Sequence, residues 1–238
     1  MAKGKVYLIP NTLGGESVSQ VIPQDVQEIA KGLRCFAVED VKSARRLLRK
    51  IDREFPIDDS EFVVLNKSTN ASEIYPLIKR LKAGENVGII SEAGCAGIAD
   101  PGALLVGLAH EHDIQVCPTV GPSSILLTLI GSGFNGQQFR FSGYLPKVQK
   151  ERIQKIKELE QLALRKNETQ LFMDTPFRNL HVIEDLLNEL QDSTYLCIGS
   201  NLTMNDEEIR TMKVSEWRER IGDMEKKNMI FGIGLINN

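Results

Sequence analysis

Cysteine is scarce, and Cys35, Cys95, Cys117 and Cys197 form no C-x-x-C pair. A disulfide framework is excluded, and the four read as small buried hydrophobes in a reducing compartment. Histidine is scarcer still. His110-Glu111-His112 lacks the i, i+4 spacing that sets two ligands on one helix face, so no metal is expected. Neither glycine-rich phosphate signature, G-x-x-x-x-G-K-[ST] nor G-x-G-x-x-G, occurs, which removes the usual sequence support for ATP and NAD. No apolar run nears the roughly 20 residues of a membrane span. Met1-Ala2-Lys3-Gly4-Lys5 leads straight into a short strand-like run rather than a signal-peptide core. A cytoplasmic protein is the expectation. Charge of one sign is missing too: the net charge is −3. Nothing global calls for a nucleic acid, although a local basic face is still open to it.

What remains is an ordinary globular composition, 42% hydrophobic and 26% charged, in 238 residues. That length suits one large domain or two small ones. Strand-like and helix-like runs alternate throughout. Lys5–Ile9, Cys35–Val38, Phe62–Leu65, Asn86–Ile90 and Gln115–Cys117 read as strands. Between them lie helices at Gln24–Lys31, at Ser43–Lys50, after Asn70 with Glu73 three residues on (a capping box), and after Asp100-Pro101. A fifth helix is expected at Pro122–Ile130. The rhythm predicts a mostly parallel sheet with crossover helices. Gly131-Ser132-Gly133 interrupts it, so the boundary is placed there, giving domains 1–130 and 131–238. The second half predicts strands at Phe139–Ser142, Thr169–Met173, Tyr195–Ser200, Glu207–Lys213 and Met229–Ile236. Its helices are expected at Gln149–Ala163, charged on its exposed side, from Thr175-Pro176 to about Leu190, and at Ser215–Ile221. The fold class is therefore α/β, two α/β domains, the second with a mixed sheet. Trp217 reads as packing.

The unusual segments all fall where a strand ends. They are Ile9–Thr12, Ser91–Gly102, Gly121–Ser124 and Asp174–Pro176. In open α/β sheets the ligand crevice lies outside the carboxyl ends of the strands, and small residues there let a ligand approach the backbone. Gly and Pro after strands are also plain loop punctuation; it is the set of four that points to a cleft. The segments carry few fixed charges, which suits a ligand held by backbone groups and apolar walls. S-adenosylmethionine has an adenine, an amino-acid end and a sulfonium but no phosphate, and needs neither a phosphate loop nor a metal.

These residues also carry a resemblance. Ser91–Gly102 resembles the S-D-A-G-T-P-x-I-S-D-P-G segment of the tetrapyrrole methylase superfamily, and more narrowly the branch of ribosomal RNA small-subunit methyltransferase I. Tyr7–Pro10 is similar to that branch's opening strand, and Ala37–Asp40 with Arg45–Leu48 to its A-E-D-T-R-x-x-x-x-L-L. Val120–Ser124, Phe139–Pro146 and Phe172–Arg178 resemble its P-G-P-S-A, F-x-F-x-G-F-L-P and F-Y-E-S-P-H-R. The resemblance implies a homodimer of two-domain subunits with S-adenosylmethionine in a cleft between the domains. By matched position, Pro10, Glu92, Ala93, Gly94, Ile98, Ser123, Leu145 and Thr175 would lie at or near that donor. It also implies RNA of the small ribosomal subunit as acceptor, methylated at a ribose 2′-hydroxyl. Departures are visible: Glu92 for aspartate, Cys95-Ala96 for Thr-Pro, Phe177 for histidine, and Asn201–Met204 for E-L-T-K. They keep two other readings open, carbon methylation of a tetrapyrrole and donor binding without catalysis.

Removing a proton from a ribose hydroxyl calls for a base. Glu39, just past the second strand, is the first candidate, with Asp40 and Asp174 behind it. The plain reading of Glu39-Asp40 is an acidic pair favouring the positive end of the next helix. Lys42, Arg45, Arg46, Arg49, Lys50 and Arg53 make a local basic run, readable as phosphate contacts or as a solvated helix face.

Overall fold

A computed structural model describes residues 2–220 and 227–236. The chain divides into two compact units, one ending at Ser123 and the other beginning at Ser124.

In the first unit, β1 (Lys5–Ile9), β2 (Cys35–Val38), β3 (Glu61–Val64), β4 (Val87–Ile90) and β5 (Gln115–Pro118) form one sheet in the order β3-β2-β4-β1-β5. All four strand pairings are parallel. Cys-Phe-Ala-Val and Val-Gly-Ile-Ile are uninterrupted by charge because β2 and β4 are interior strands, buried throughout. The crossover helices are α1 (Gln24–Gly32), α2 (Val41–Ile51), α3 (Ala71–Lys82) and α4 (Gly102–Glu111). On one face, Val26, Ala30, Leu47 and Leu48 of α1 and α2 pack on Ile9, Phe36, Val38 and Ile90. On the other, Ile74, Leu77, Leu105 and Ala109 of α3 and α4 cover Val6, Ala37, Val87 and Ile89.

Asn70 caps α3 as the spacing predicts, but the return bond from Glu73 is made to the Asn70 side chain and not to its backbone N–H. Asn70 Oδ1 accepts from the amides of Ser72 and Glu73 at 3.0 and 3.3 Å, and Asn70 Nδ2 donates to Glu73 Oε1 at 2.6 Å. Asn70→Ala should cost about 1 kcal/mol, read as a lower urea midpoint at unchanged slope.

The second unit opens with α5 (Ser124–Ser132), which packs on its sheet through β8, β9 and β10. A boundary drawn at residue 130 leaves that helix with the first unit; its contacts are with the second. The strands are β6 (Phe139–Tyr144), β7 (Thr169–Asp174), β8 (Tyr195–Ser200), β9 (Glu208–Lys213) and β10 (Met229–Gly234). Their order is β6-β7-β10-β8-β9, with β6 and β7 parallel and the other pairings antiparallel, so the sheet is mixed as expected. The other helices are α6 (Gln149–Lys166), α7 (Asn179–Glu189) and α8 (Val214–Arg220). The expected end of α8 at Ile221 lies outside the described residues. Trp217 is buried and donates Nε1 to the Leu196 carbonyl at 2.8 Å.

One expectation needs correction here. Thr175-Pro176 does not cap α7, because residues 176–178 form a turn closed by Arg178 N to Thr175 O (2.8 Å) and the helix starts only at Asn179. The inner side of α6 carries charge as well. Its Arg152 is buried against Asp185 at 2.6 Å, and its Glu160 is buried, accepting from Gln191 N (2.8 Å) and Thr194 Oγ1 (2.5 Å).

Candidate functional site

Register sets the site. In the first sheet Ile9, Ile90 and Val38 pair across three neighbouring strands. The next residues, Pro10, Ser91 and Glu39, therefore leave the sheet side by side. After β1 the chain crosses towards β2; after β4 it crosses the other way, towards β5. The two strands are neighbours whose connections leave on opposite faces of the sheet and run in opposite directions, a switch in topology of the kind where α/β sheets open a ligand crevice.

Asn11 holds the two diverging loops together. Its backbone pairs with Gly94, N to O at 2.9 Å and O from N at 3.1 Å. Its Nδ2 donates to the carbonyls of Ser91 (3.1 Å) and Glu92 (2.9 Å), and Oδ1 accepts from Thr12 N (2.8 Å). The residue is buried, so these bonds face little competition from water. Gly94 is required where it stands: φ is +71°, and an added Cβ would lie 3.3 Å from Leu13 and from the Pro122 carbonyl.

The rest of the β4–α4 loop is braced by Asp100. Its Oδ2 accepts from Gly97 N and its Oδ1 from Gly102 N, both at 2.6 Å. The carboxylate expected to start the helix thus also pins the loop. Burial raises the Asp100 pKa, and these two amides oppose the rise. Between Gly97 and Asp100, Ala99 adopts φ 59°, a conformation an alanine keeps only where neighbours enforce it.

On the β5 side of this loop lies a cavity of about 410 Å³, within the range of small-ligand sites. Leu8, Pro10, Ala96, Ile98, Val106 and Thr119 are among its lining residues, and no charged side chain lines it. Thr119 is fixed by Oγ1 to the Leu8 carbonyl at 2.6 Å. Cys95, also in the lining, donates Sγ to the Pro122 carbonyl at 3.4 Å. Gly121 lies against Pro10 so closely that a Cβ would fall 2.2 Å from the ring. The Gly121–Ser123 turn is thereby packed onto the cavity wall.

On the other side of the same loop, Glu39 shares a shallow recess with Ser91, Asp100, Pro101 and Gly102. Its Oε2 accepts from Glu92 N at 3.3 Å. Burial, first of all, raises the Glu39 pKa; the charges of Glu92 and Asp100 add to the rise, while the Glu92 amide and Lys67 oppose it. Asp40 is committed elsewhere, capping α2 through Oδ1 and Ser43 N at 2.6 Å.

Of the other sequence-derived positions, Pro10 and Ile98 line the cavity, Glu92 and Ala93 are exposed at the loop tip, and Ser123 is buried at the end of the unit. Leu145 and Thr175 belong to the second unit. There Leu145 is a core residue, and Thr175 is exposed with its amide on Asp174 Oδ1 at 2.7 Å. Asp174 is buried with Oδ2 3.1 Å from Arg178 Nη2, and the same nitrogen donates to the Pro146 carbonyl at 3.0 Å. Asp174 is therefore a tether for the Leu145–Pro146 loop.

Sequence reasoning missed Asn11, Asp100 as a loop brace, Thr119 and Lys67. Only Asp100 had a signal beyond its helix-start position, namely the glycines at both of its acceptor contacts. Among the described residues, no group of three or more His, Cys, Asp or Glu is placed to hold a metal.

Residues 21–217 match the family described as Tetrapyrrole (Corrin/Porphyrin) Methylases. A ribosomal RNA small subunit methyltransferase I of Buchnera aphidicola is 26% identical over 217 residues, covering 90% of this chain and 73% of the relative. One of Escherichia coli O157:H7 is 27% identical over 232 residues, 96% of this chain and 77% of the relative. Among solved structures, diphthine synthase superposes with TM-score 0.63 at 13% identity, over 96% of this chain and 88% of that one. A uroporphyrin-III C-methyl transferase from Thermus thermophilus, complexed with S-adenyl homocysteine, gives TM-score 0.56 at 13% identity over 98% of both chains. These structural likenesses show a shared fold.

Proposed function

Starting from a chain that belongs to the tetrapyrrole (corrin/porphyrin) methylases, an S-adenosylmethionine-dependent methyltransferase, we propose that its acceptor is small-subunit ribosomal RNA, methylated at a ribose 2′-hydroxyl. The observation that carries this is the extent of the match: relatives named ribosomal RNA small subunit methyltransferase I align with 90% and 96% of the chain.

The first unit's cavity fits the donor's chemistry. Its lining offers small apolar side chains and loop backbone but no charged group, suited to an adenosine and a sulfonium and unsuited to a polyphosphate. Pro10 and Ile98 would hold the donor from the cavity wall, and Glu92, Ala93 and Gly94 from the loop. Ser123 would contribute from the turn beyond β5. When bound, S-adenosylmethionine supplies a methyl group on a good leaving group. The protein's task is then alignment and removal of one proton. Asn11 and Asp100 fix the loop that presents the donor side. Glu39 accepts the hydroxyl proton, its carboxylate made more basic by burial. A homodimeric, cytoplasmic protein completes the proposal.

Calorimetry with S-adenosylhomocysteine and tritiated-methyl transfer test the reading. Micromolar binding, with label entering small subunits from a strain lacking this methylation and alkali-stable at one nucleotide, is the expected result. Label entering a porphyrinogen and not the RNA would overturn the acceptor. Binding with no transfer to either would leave a donor-binding protein without catalysis.

A further inference from the structure

The outer face of α2 is unusually cationic for a chain of net charge −3: between residues 42 and 53 stand six Lys and Arg and a single acid, Asp52. The helix buries Ala44, Leu47 and Leu48 and turns Lys42, Arg45, Arg46 and Arg49 to solvent. Little of this charge is neutralised. Arg45 has a 3.5 Å pair with Asp58, itself almost wholly exposed, and Lys50 pairs with Glu16 at 3.0 Å. Lys42, Arg46 and Arg49 have no carboxylate partner among the described residues. Self-repulsion of this kind on a folded face is relieved by a bound polyanion.

The face is rooted at the crevice. Ser43 Oγ in the first turn lies 3.2 Å from Asn11 Nδ2 and 3.4 Å from the Glu92 carbonyl. Lys42 therefore flanks the loop on which Glu39 and the cavity converge, and Lys67 adds positive charge acting on Glu39. From Lys42 to Arg49 the helix rises about 10 Å, enough for a few consecutive phosphates.

We propose that this face of α2 is where the sugar-phosphate backbone of the RNA acceptor docks, leading the strand to Glu39. The inference rests on the RNA reading above. A lipid surface is disfavoured because a membrane-binding amphipathic helix lays its apolar face into the bilayer, whereas here that face is spent on the protein core.

The test is fluorescence anisotropy of a labelled single-stranded RNA oligonucleotide across a salt series, on wild type and on the triple variant Lys42→Glu/Arg46→Glu/Arg49→Glu. Wild-type affinity should fall steeply with salt. The variant should bind at least tenfold more weakly, with a log–log salt slope shallower by about 2, from about 0.7 per lost phosphate contact. Its S-adenosylhomocysteine affinity and melting temperature should be unchanged. A triple alanine variant gives the same reduction in slope if charge reversal impairs folding. A folded variant with wild-type affinity and slope would overturn the proposal. So would a wild-type protein that binds polyglutamate or anionic vesicles through this face as tightly as RNA. Failure of methyl transfer with salt-sensitive, α2-dependent RNA binding intact would remove the acceptor assignment and leave the surface standing. Transfer to RNA that is indifferent to the triple variant would do the reverse.

Discussion

Glu39→Gln should lower methyl transfer by about 10²- to 10⁴-fold, the usual contribution of a positioned general base, with S-adenosylmethionine affinity unchanged. Glutamine keeps the side chain's shape, and its carbonyl oxygen can accept from Glu92 N as the carboxylate does at 3.3 Å. It cannot take up a proton. The pH profile separates this role from a structural one. Burial raises the Glu39 pKa, so the wild-type rate should fall on acidification at a pH higher than a solvent-exposed glutamate would give, and the variant's residual rate should lack that limb. Stability moves the other way. A carboxylate whose folded pKa is raised costs nothing while protonated in both states; its penalty grows as pH rises from the unfolded to the folded value and is fully present above the latter. The variant should therefore match wild type in acid and exceed it near neutrality, read from urea midpoints at the two pH values. Full activity of the variant on an RNA acceptor would remove Glu39 from the chemistry.

Asn11→Asp should lower stability by about 2–5 kcal/mol, because two acceptors in a largely dry site lose their donor at once. The exchange is isosteric. Asn11 Nδ2 serves the Ser91 and Glu92 carbonyls at 3.1 and 2.9 Å, and a carboxylate oxygen there would face both of them oxygen to oxygen. Asn11→Ala should be no worse than the aspartate, since it removes the donor without adding repulsion. Both variants free the β4–α4 loop from the loop after β1, so S-adenosylhomocysteine affinity should drop at least tenfold alongside stability. The checks are denaturant titration and calorimetry at a temperature where each variant remains folded. An aspartate variant with wild-type stability and affinity would show that the backbone pair Asn11–Gly94 suffices to hold the loops.

Much of the fold was legible because its local signals are strong. Uninterrupted apolar runs of four residues mark the interior parallel strands, and Asn70 with Glu73 marks a helix start through hydrogen bonds to neighbours in the chain. The misreadings came where local cues competed. Thr175-Pro176 looks like a helix start, but the Asp174 side chain claims the Thr175 amide and a turn intervenes. The Gly131–Gly133 interruption looks like a boundary, but the helix that runs into it packs Thr128 and Leu129 against the second unit's sheet.

The candidate site divides in the same way. Small residues after strands, and their ordered resemblance to one family, were enough to locate the crevice and to suggest S-adenosylmethionine, because backbone approach and absent phosphate loops are written in residue type. The alternation of strand and helix, the class of sheet and the basic stripe of α2 follow from local pattern alone, since each depends on side chains no more than a few positions apart. Strand order, and with it which two loops meet, is set by packing across the whole sheet: β1 lies beside β4 although the paired residues Val6 and Val87 are 81 positions apart. That adjacency makes Asn11 a clip between the loops after β1 and β4, and the β2–β4 pairing brings Glu39 to the Glu92 amide. Those two roles arise from hydrogen bonds between distant segments, which no local spacing encodes, whereas the Asp100 brace lies wholly within residues 97–102.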